Sequence, residues 1–419
     1  MTNKFSKSTL WFIGVSILVY ALLQILVSVG LLNTFWNTII RLGAVMAIVS
    51  IGLNLIYGFN GQFSLGQWGF YAIGAYSAAD VTYRWTVNKS ADGVIVLALA
   101  TLLSGAAMLW LHQRLSRVRG LDPLSAFTIY LTSTILLSAL AIWAGKFITP
   151  SVTSLLHLLP AAVSVQVVLI LAVLFSGVLA AEISYLFGLP ILSLGSDYFG
   201  IATLGFTVIV KIILDNSDTL LGFVEMKGAR GMVGIPKVTS LFWVFFFLVL
   251  VVILVRNLLR SSYGRAVISV REDEIAAKAM GIDVAEYKII AFVLGSFLAG
   301  LAGGLYAHIN GFLHPDTFNF IKSFDPMIII VFGGLGSISG TVFAAFAWAL
   351  VLEGALRIFL PQGFETWRFV VYPLLLLIVM LLRPKGIFGD FEIPFLRQVL
   401  PKARPKKSTE TSFTAEVKL

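Results

Sequence analysis

SVREDEIAAKAMGIDVAEYK, residues 269–288, is a charged segment set between two apolar runs of membrane length. Ser269 and Glu272 stand at the Ser-x-x-Glu spacing in which hydroxyl and carboxylate each satisfy an unpaired amide at a helix start. The segment then runs through Ile275, Ala276, Ala277, Ala279 and Met280 to Gly281, the residue type that tolerates the left-handed turn closing a helix. Asp283-Val-Ala-Glu286 repeats the capping pattern and predicts a second helix leading into the apolar run from Ile289. A short helix with small side chains is therefore expected crosswise between two membrane segments. A membrane protein has little reason to build one there unless something soluble docks on it.

The rest of the chain sets the class. Hydrophobic residues make up 58% and charged residues 12% of the 419 positions, whereas a soluble domain carries about 25% charged residues. The expected fold is all-α, a polytopic membrane bundle of about ten to twelve helices. There is no cysteine, which excludes disulfides, thiolate metal clusters and thiol catalysis. The formal net charge of +9 sits at segment ends rather than in a nucleic-acid-binding patch, so no nucleic-acid partner is expected. Lys4 and Lys7 followed by the apolar run from Leu10 to Val29 read as a retained first helix, because the run is span-length and no small-residue cleavage site follows.

Residues 1–35 are read as a first span with an exterior turn, 36–390 as one membrane domain, and 391–419 as a polar tail disordered at its end. The apolar run at 325–358 is too long for one crossing and is broken by Gly333, Gly334, Gly336 and Gly340, so it is counted as two. An even count puts both termini on one side, together with Arg114, Arg117, Arg119, Arg256, Arg260, Arg265 and Arg271. By the positive-inside rule that side is the cytoplasm.

Two glycine-rich stretches interrupt the membrane region: Gly61-Gln62-Phe63-Ser64-Leu65-Gly66, followed by Gln67, and Gly334-Leu335-Gly336-Ser337. They are expected to approach the bilayer from opposite sides, as in an inverted repeat around a midplane pathway. Packing of helices through small residues is the open alternative. Gln62, Ser64, Gln67 and Thr203 are candidate solute contacts. Asp197, at the start of a span, is either a helix cap or a gating group.

Five stretches carry a family resemblance: GFNGQFSLGQWGFYAIGAY (58–76), GSDYFGIATLGF (195–206), GARGMVGIP (228–236), the loop from Gly264 to Lys288, and RPKGIFG (383–389). Together they resemble the permease subunits of branched-chain amino acid ABC importers, the LivM-like members, and the similar permeases for urea and short amides. The resemblance implies a transport subunit in a prokaryotic plasma membrane. It would pair with a second homologous permease and with two ATPase subunits that use ATP and magnesium, and a solute-binding protein would feed it. It also implies that Glu274, Ala276, Ala277 and Gly281 belong to an EAA-type coupling loop at 258–288 that docks on an ATPase, with Arg271, Glu272 and Lys278 at its rim. One departure stands out, an additional membrane pair near 93–163. Another is Gln67-Trp68-Gly69, where such proteins more often carry a histidine and small residues.

No cofactor is expected in this chain itself. Gly-x-x-x-x-Gly-Lys-[Ser/Thr] occurs nowhere, and Gly295 and Gly300 read as helix-packing glycines. The four histidines, His112, His157, His308 and His314, form no i, i+4 pair, so no metal site is expected. Nor do a nucleophile, base and oxyanion donor converge in the sequence, so no catalytic residue is assigned. Glu353 has Arg357 one turn away as a partner, and Glu182 is placed near the cytoplasmic end of its span. The rival class is an ion-coupled secondary transporter, which ordinarily places ionisable residues deep in its spans.

Overall fold

The computed structural model describes residues 7–115, 123–192, 196–220, 222, 224–355, 374, 377–378, 381–383, 386–389, 392–393 and 395–396. The helices run α1 Lys7–Ser28, α2 Thr34–Leu53, α3 Gln67–Thr86, α4 Asp92–Leu115, α5 Pro123–His157, α6 Ala161–Ile191, α7 Ser196–Asp215 and α8 Ser217–Leu220. They continue with α9 Leu241–Arg260, α10 Ser262–Glu272, α11 Glu274–Ala279, α12 Val284–Asn310, α13 Phe324–Gly333 and α14 Ile338–Trp348. Wider π-helical turns extend α2 through Asn54–Phe59 and α14 through Ala349–Ala355. The one sheet among the described residues pairs β1 Met232–Val233 with β2 Phe312–Leu313, antiparallel.

Nine helices among the described residues are long and apolar enough to cross a membrane. The more polar α3 has 20 residues, which at about 1.5 Å per residue also matches the roughly 30 Å hydrocarbon thickness. The long run breaks into two elements at its glycines, but only the second, Ile338–Ala355, is long enough to cross a membrane, which corrects the expected two crossings. The first, α13, has only ten residues, roughly 15 Å or half a bilayer.

Helix α12 sits at the centre, packed on α2, α3 and α6. Small residues set these contacts, because nothing but glycine lets the backbones meet. A Cβ on Gly52 would lie 2.6 Å from the Gly295 carbonyl oxygen, and one on Gly300 would lie 2.5 Å from the Ala180 Cβ. The expected additional pair is the hairpin α4–α5, which has a separate apolar cluster of Val94, Ile95 and Leu156 against Val81 and Val168. Ile135, Leu136, Trp143 and Phe147 on α5 are exposed, as suits a lipid-facing helix. Arg117 and Arg119 lie outside the described residues.

The bundle has two ends. The α10–α11 segment, the turn after α2 and the turn between α13 and α14 share one end, here the loop face. Residues 224–240 and 311–314 share the other, the far face. This corrects the expected inverted repeat: the two glycine-rich breaks meet at the same end. A Cβ on Gly58 would lie 2.6 Å from the Gly336 nitrogen. The chain enters that end on α2 and again on α13, so the resemblance of the two breaks reflects shared position, not inversion. The beginning of the tail is packed rather than free, with Phe395 buried and stacked on Phe12 at 4.2 Å. Residues 397–419 lie outside the described residues.

Candidate functional site

The charged segment 269–288 is folded as two caps and a turn. Ser269 does not start the short helix. It lies inside α10, and its hydroxyl donates to the Ala266 carbonyl at 2.8 Å. The helix is pinned upstream by Ser261, which accepts from the Gly264 amide, and by buried Val267 and Val270. Asp273 is the cap of α11, accepting from the amides of Ile275 (2.8 Å) and Ala276 (3.0 Å). Gly281 closes α11 with φ +82°. The Ile282 amide donates to the Ala277 carbonyl and the Gly281 amide to that of Lys278, which together satisfy the last turn. Asp283 then caps α12 as predicted, accepting from Ala285 and Glu286.

This frame decides which side chains face outward. Ala277 is 4% exposed and packs with Val270, Val284 and Ile282. The expectation that Ala277 meets a partner is therefore corrected: its methyl anchors the loop to itself. The outward side carries Ile275 and Met280, each 82% exposed, flanked by exposed Glu274, Ala276 and Lys278. Two large apolar side chains fully in water on a capped helix are the unusual feature.

Arg271 turns inward rather than lying at a rim. Its guanidinium donates to the Gly58 carbonyl and pairs with Glu272 on its other side. A Cβ on Gly61 (φ +81°) would lie 3.1 Å from the Arg271 Cγ, and one on Gly336 3.1 Å from its Nη1. One side chain from the loop thus fits between both glycine breaks. Asn54, buried in the π-helical turn, ties the breaks to each other. Its Oδ1 accepts from the Gly336 amide (2.9 Å), and its Nδ2 donates to the Ser337 carbonyl (3.0 Å) and to Thr341 Oγ1 (2.8 Å). Ser337 itself caps α14 by accepting from Gly340. Glu392 adds a carboxylate to the same helix start, accepting from the Ile338 amide and the Ser339 hydroxyl. The amides of Ile387 and Phe388 take the free carbonyls of Phe332 and Gly333 at the end of α13, which gives the RPKGIFG stretch a structural role. Gly334, at that helix end, has φ +115°.

Above the breaks lie the other candidates. Thr203 does not offer its hydroxyl to a solute. It accepts from the Leu65 amide (3.0 Å) while Thr207 donates to the Leu65 carbonyl (3.2 Å), so α7 holds the non-helical stretch 61–66 by its backbone. Gly66 fits because a Cβ there would meet the Thr203 Cβ at 3.0 Å. Ser64 accepts from the Gly66 amide. Asp197 falls in the first turn of α7, with its side chain outside the described residues. Gln62 and Gln67 are buried, and Gln62 Oε1 and both polar atoms of Gln67 have no partner among the described residues. The hydroxyls of Tyr71, Tyr76 and Ser323 are likewise buried without a partner among the described residues.

Trp68, Tyr71 and Tyr76 face an irregular segment that descends from the far face into the bundle. Its 3-10 turns Pro315–Phe318 and Phe320–Ser323 precede the half-length α13. Trp68 donates to the Thr317 carbonyl at 2.9 Å, and Phe318 is buried among Tyr71, Tyr76 and Tyr306 with ring centroids 5.7–6.3 Å apart. Lys322 is neutralised by Asp325 (3.2 Å) and Glu353 (3.9 Å). Glu353 thus pairs with Lys322, and Arg357 lies outside the described residues. Non-helical backbone at this depth is tolerated where protein or a polar cavity surrounds it.

Among the described residues no group of three His, Cys, Asp or Glu side chains is placed to hold a metal ion. His308 is a satisfied core histidine, with Nδ1 donating to the Gly304 carbonyl and Nε2 accepting from Thr82. Glu182 is buried and accepts from Ser104 of the α4–α5 hairpin at 2.7 Å. Asn54 and Glu392 were missed by sequence reasoning. Asn54 was visible as a lone amide in an apolar run, whereas nothing local marks Glu392.

A helical bundle of membrane length, interrupted at two touching breaks and carrying a capped loop beside them, defines a polytopic integral membrane protein. The chain belongs to the family described as branched-chain amino acid transport system / permease component, whose model matches residues 35–380. It is 32% identical over 246 residues to the high-affinity branched-chain amino acid transport system permease protein LivM of Escherichia coli K12, covering 51% of this chain and 55% of that protein. A probable LivM of Methanocaldococcus jannaschii is 25% identical over 53% of this chain and 69% of its own length. The LivH permease protein of Salmonella typhimurium LT2 is 27% identical over 43% and 55%. The chain spans about half the length of the first of these relatives. No solved structure is a significant match.

Proposed function

We propose that this chain is a transmembrane subunit of an ATP-driven importer for branched-chain or other small amino acids. The loop face is the cytoplasmic one, where α11 docks on an ATPase subunit and the ATP and magnesium chemistry takes place. A second permease completes the pathway, and a solute-binding protein loads it at the far face beside β1 and β2. The observation that carries this reading is Arg271. It joins a capped helix with an apolar outward face to both breaks in the membrane region, so motion imposed on the loop reaches them through one guanidinium. An ion-coupled carrier has no need of that connection.

The uncharged polar groups Gln67, Tyr71, Tyr76 and Ser323 amid aromatic rings suit a small solute passing through rather than one held tightly. The same lining suits a neutral urea or short amide, and competition for uptake separates the two.

The test is docking. Ile275→Asp with Met280→Asp replaces two exposed side chains, each worth about 1.5–3 kcal/mol if buried by a partner. The doubly changed chain should insert and fold normally yet fail to co-purify with the ATPase subunits encoded alongside it. Undiminished co-purification would remove α11 from the interface.

A further inference from the structure

Between the bundle centre and the added hairpin lies a cavity of about 860 Å³, bounded by α3, α4, α5, α6 and α7. Its walls are mostly apolar, with Ile73, Val96, Ile142, Leu179, Ile183 and Ile209 among them. On α3 the lining runs from Ile73 to Arg84, roughly 16 Å at about 1.5 Å per residue. That depth matches one leaflet of a hydrocarbon core about 30 Å thick.

The charged lining groups, Asp80, Arg84, Asp92 and Lys146, gather at the far-face mouth. Gly93 packs on Val81, which sets Asp92 beside Arg84, and Gly145 packs on Val96, which sets Lys146 about one helical turn deeper. Arg84 is held by Asp80 (3.0 Å), Asp92 (3.2 Å) and Glu225 (3.8 Å). Three carboxylates about one guanidinium leave that side of the mouth negative, and Asp80 Oδ1 is buried without a partner among the described residues. On the α5 side, Lys146 is exposed and has no ion-pair partner among the described residues.

We propose that this cavity is a lipid site, holding an acyl chain of a zwitterionic phospholipid from the far-face leaflet. The head ammonium lies at Asp80 and Asp92, and the phosphate lies at Lys146. A small amino acid would meet the charges but leave most of the apolar wall uncovered, whereas an acyl chain of leaflet length covers it. The added hairpin supplies both the wall and the cation, so its two helices serve to enclose one lipid against the permease core.

The experiment is native mass spectrometry on the full chain purified in mild detergent, with phosphatidylethanolamine or phosphatidylglycerol vesicles as the added probes. Wild type should retain one phosphatidylethanolamine in preference to phosphatidylglycerol. Ile209→Trp and, separately, Ile142→Trp fill the cavity from positions already half exposed, and each should cut retention at least tenfold with the melting temperature unchanged. Lys146→Glu should cut it comparably. Equal retention by the tryptophan variants, equal retention of phosphatidylglycerol, or displacement of the lipid by free leucine would each overturn the proposal. Lipid retention is read without partner subunits, so this result is independent of the docking test.

Discussion

Arg271→Ala should separate nucleotide hydrolysis from solute movement. The lost contact is a guanidinium-to-carbonyl bond onto Gly58, a type worth about 1.5–3 kcal/mol when protected. The Arg271 side chain is 37% exposed, so water replaces part of it and roughly 1–2 kcal/mol remains, a factor of about 5–30 in an equilibrium. The pair with Glu272 adds little, because that carboxylate is 65% exposed. Ile275 and Met280 are untouched, so the ATPase subunits should stay bound. In proteoliposomes bearing the assembled complex, uptake should fall about 5–30-fold while solute-independent ATP hydrolysis is retained. Uptake within twofold of wild type would refute the connection through Gly58. Equal losses of uptake and of bound ATPase would show that Arg271 belongs to the docking surface instead.

Asn54→Ala leaves the Gly336 amide without its acceptor, and should lower stability by about 1–3 kcal/mol; an unchanged thermal midpoint in detergent would count against the tie between the breaks. Ala277→Asp puts a charge among Val270, Val284 and Ile282 and should destabilise the loop by at least about 2 kcal/mol, seen as faster proteolysis of 269–288 even without partners. Normal loop protection in that variant would restore Ala277 to the outer surface. The Asp316 carboxyl is held below the usual carboxylate range, first by its hydrogen bond from Lys211 and then by that charge. The tie between α7 and the 315–318 turn should therefore persist as pH falls through the ordinary carboxylate range and give way only below it. Amide exchange of the turn that rises already near neutral pH would contradict this, and Asp316→Asn should abolish the acid step.

What was legible in the sequence was local. Span-length apolar runs, Asp283 as a cap, Gly281 as a helix stop and the division at Gly334 and Gly336 depend on neighbours a few residues away. The short helix of the loop was legible too, but not its start, because Ser269 and Asp273 both offer a cap and burial of Val267 and Val270 chose between them. Helix α11 has six residues, too few for periodicity to show that Ala277 points inward. The meeting of the breaks was illegible for another reason. Asn54 bonds a residue 282 positions away and Arg271 one 213 positions away, and no local pattern encodes such pairings. Thr203 looked like a solute contact because its hydroxyl is polar in an apolar run, while the Leu65 amide that it satisfies was hidden in the unknown path of 61–66.

The two breaks share one end of the molecule, and that placement sets a lever ratio. Helix α14 with its π-helical extension spans 338–355, about 27 Å at 1.5 Å per residue. A swing of about 10° at the Gly334–Ser337 pivot would carry its distant tip roughly 5 Å, while the pivot itself barely shifts. A small displacement beside that pivot, where Arg271 lies against Gly336, would thus be amplified at the far end of α14 without being relayed stepwise through the core.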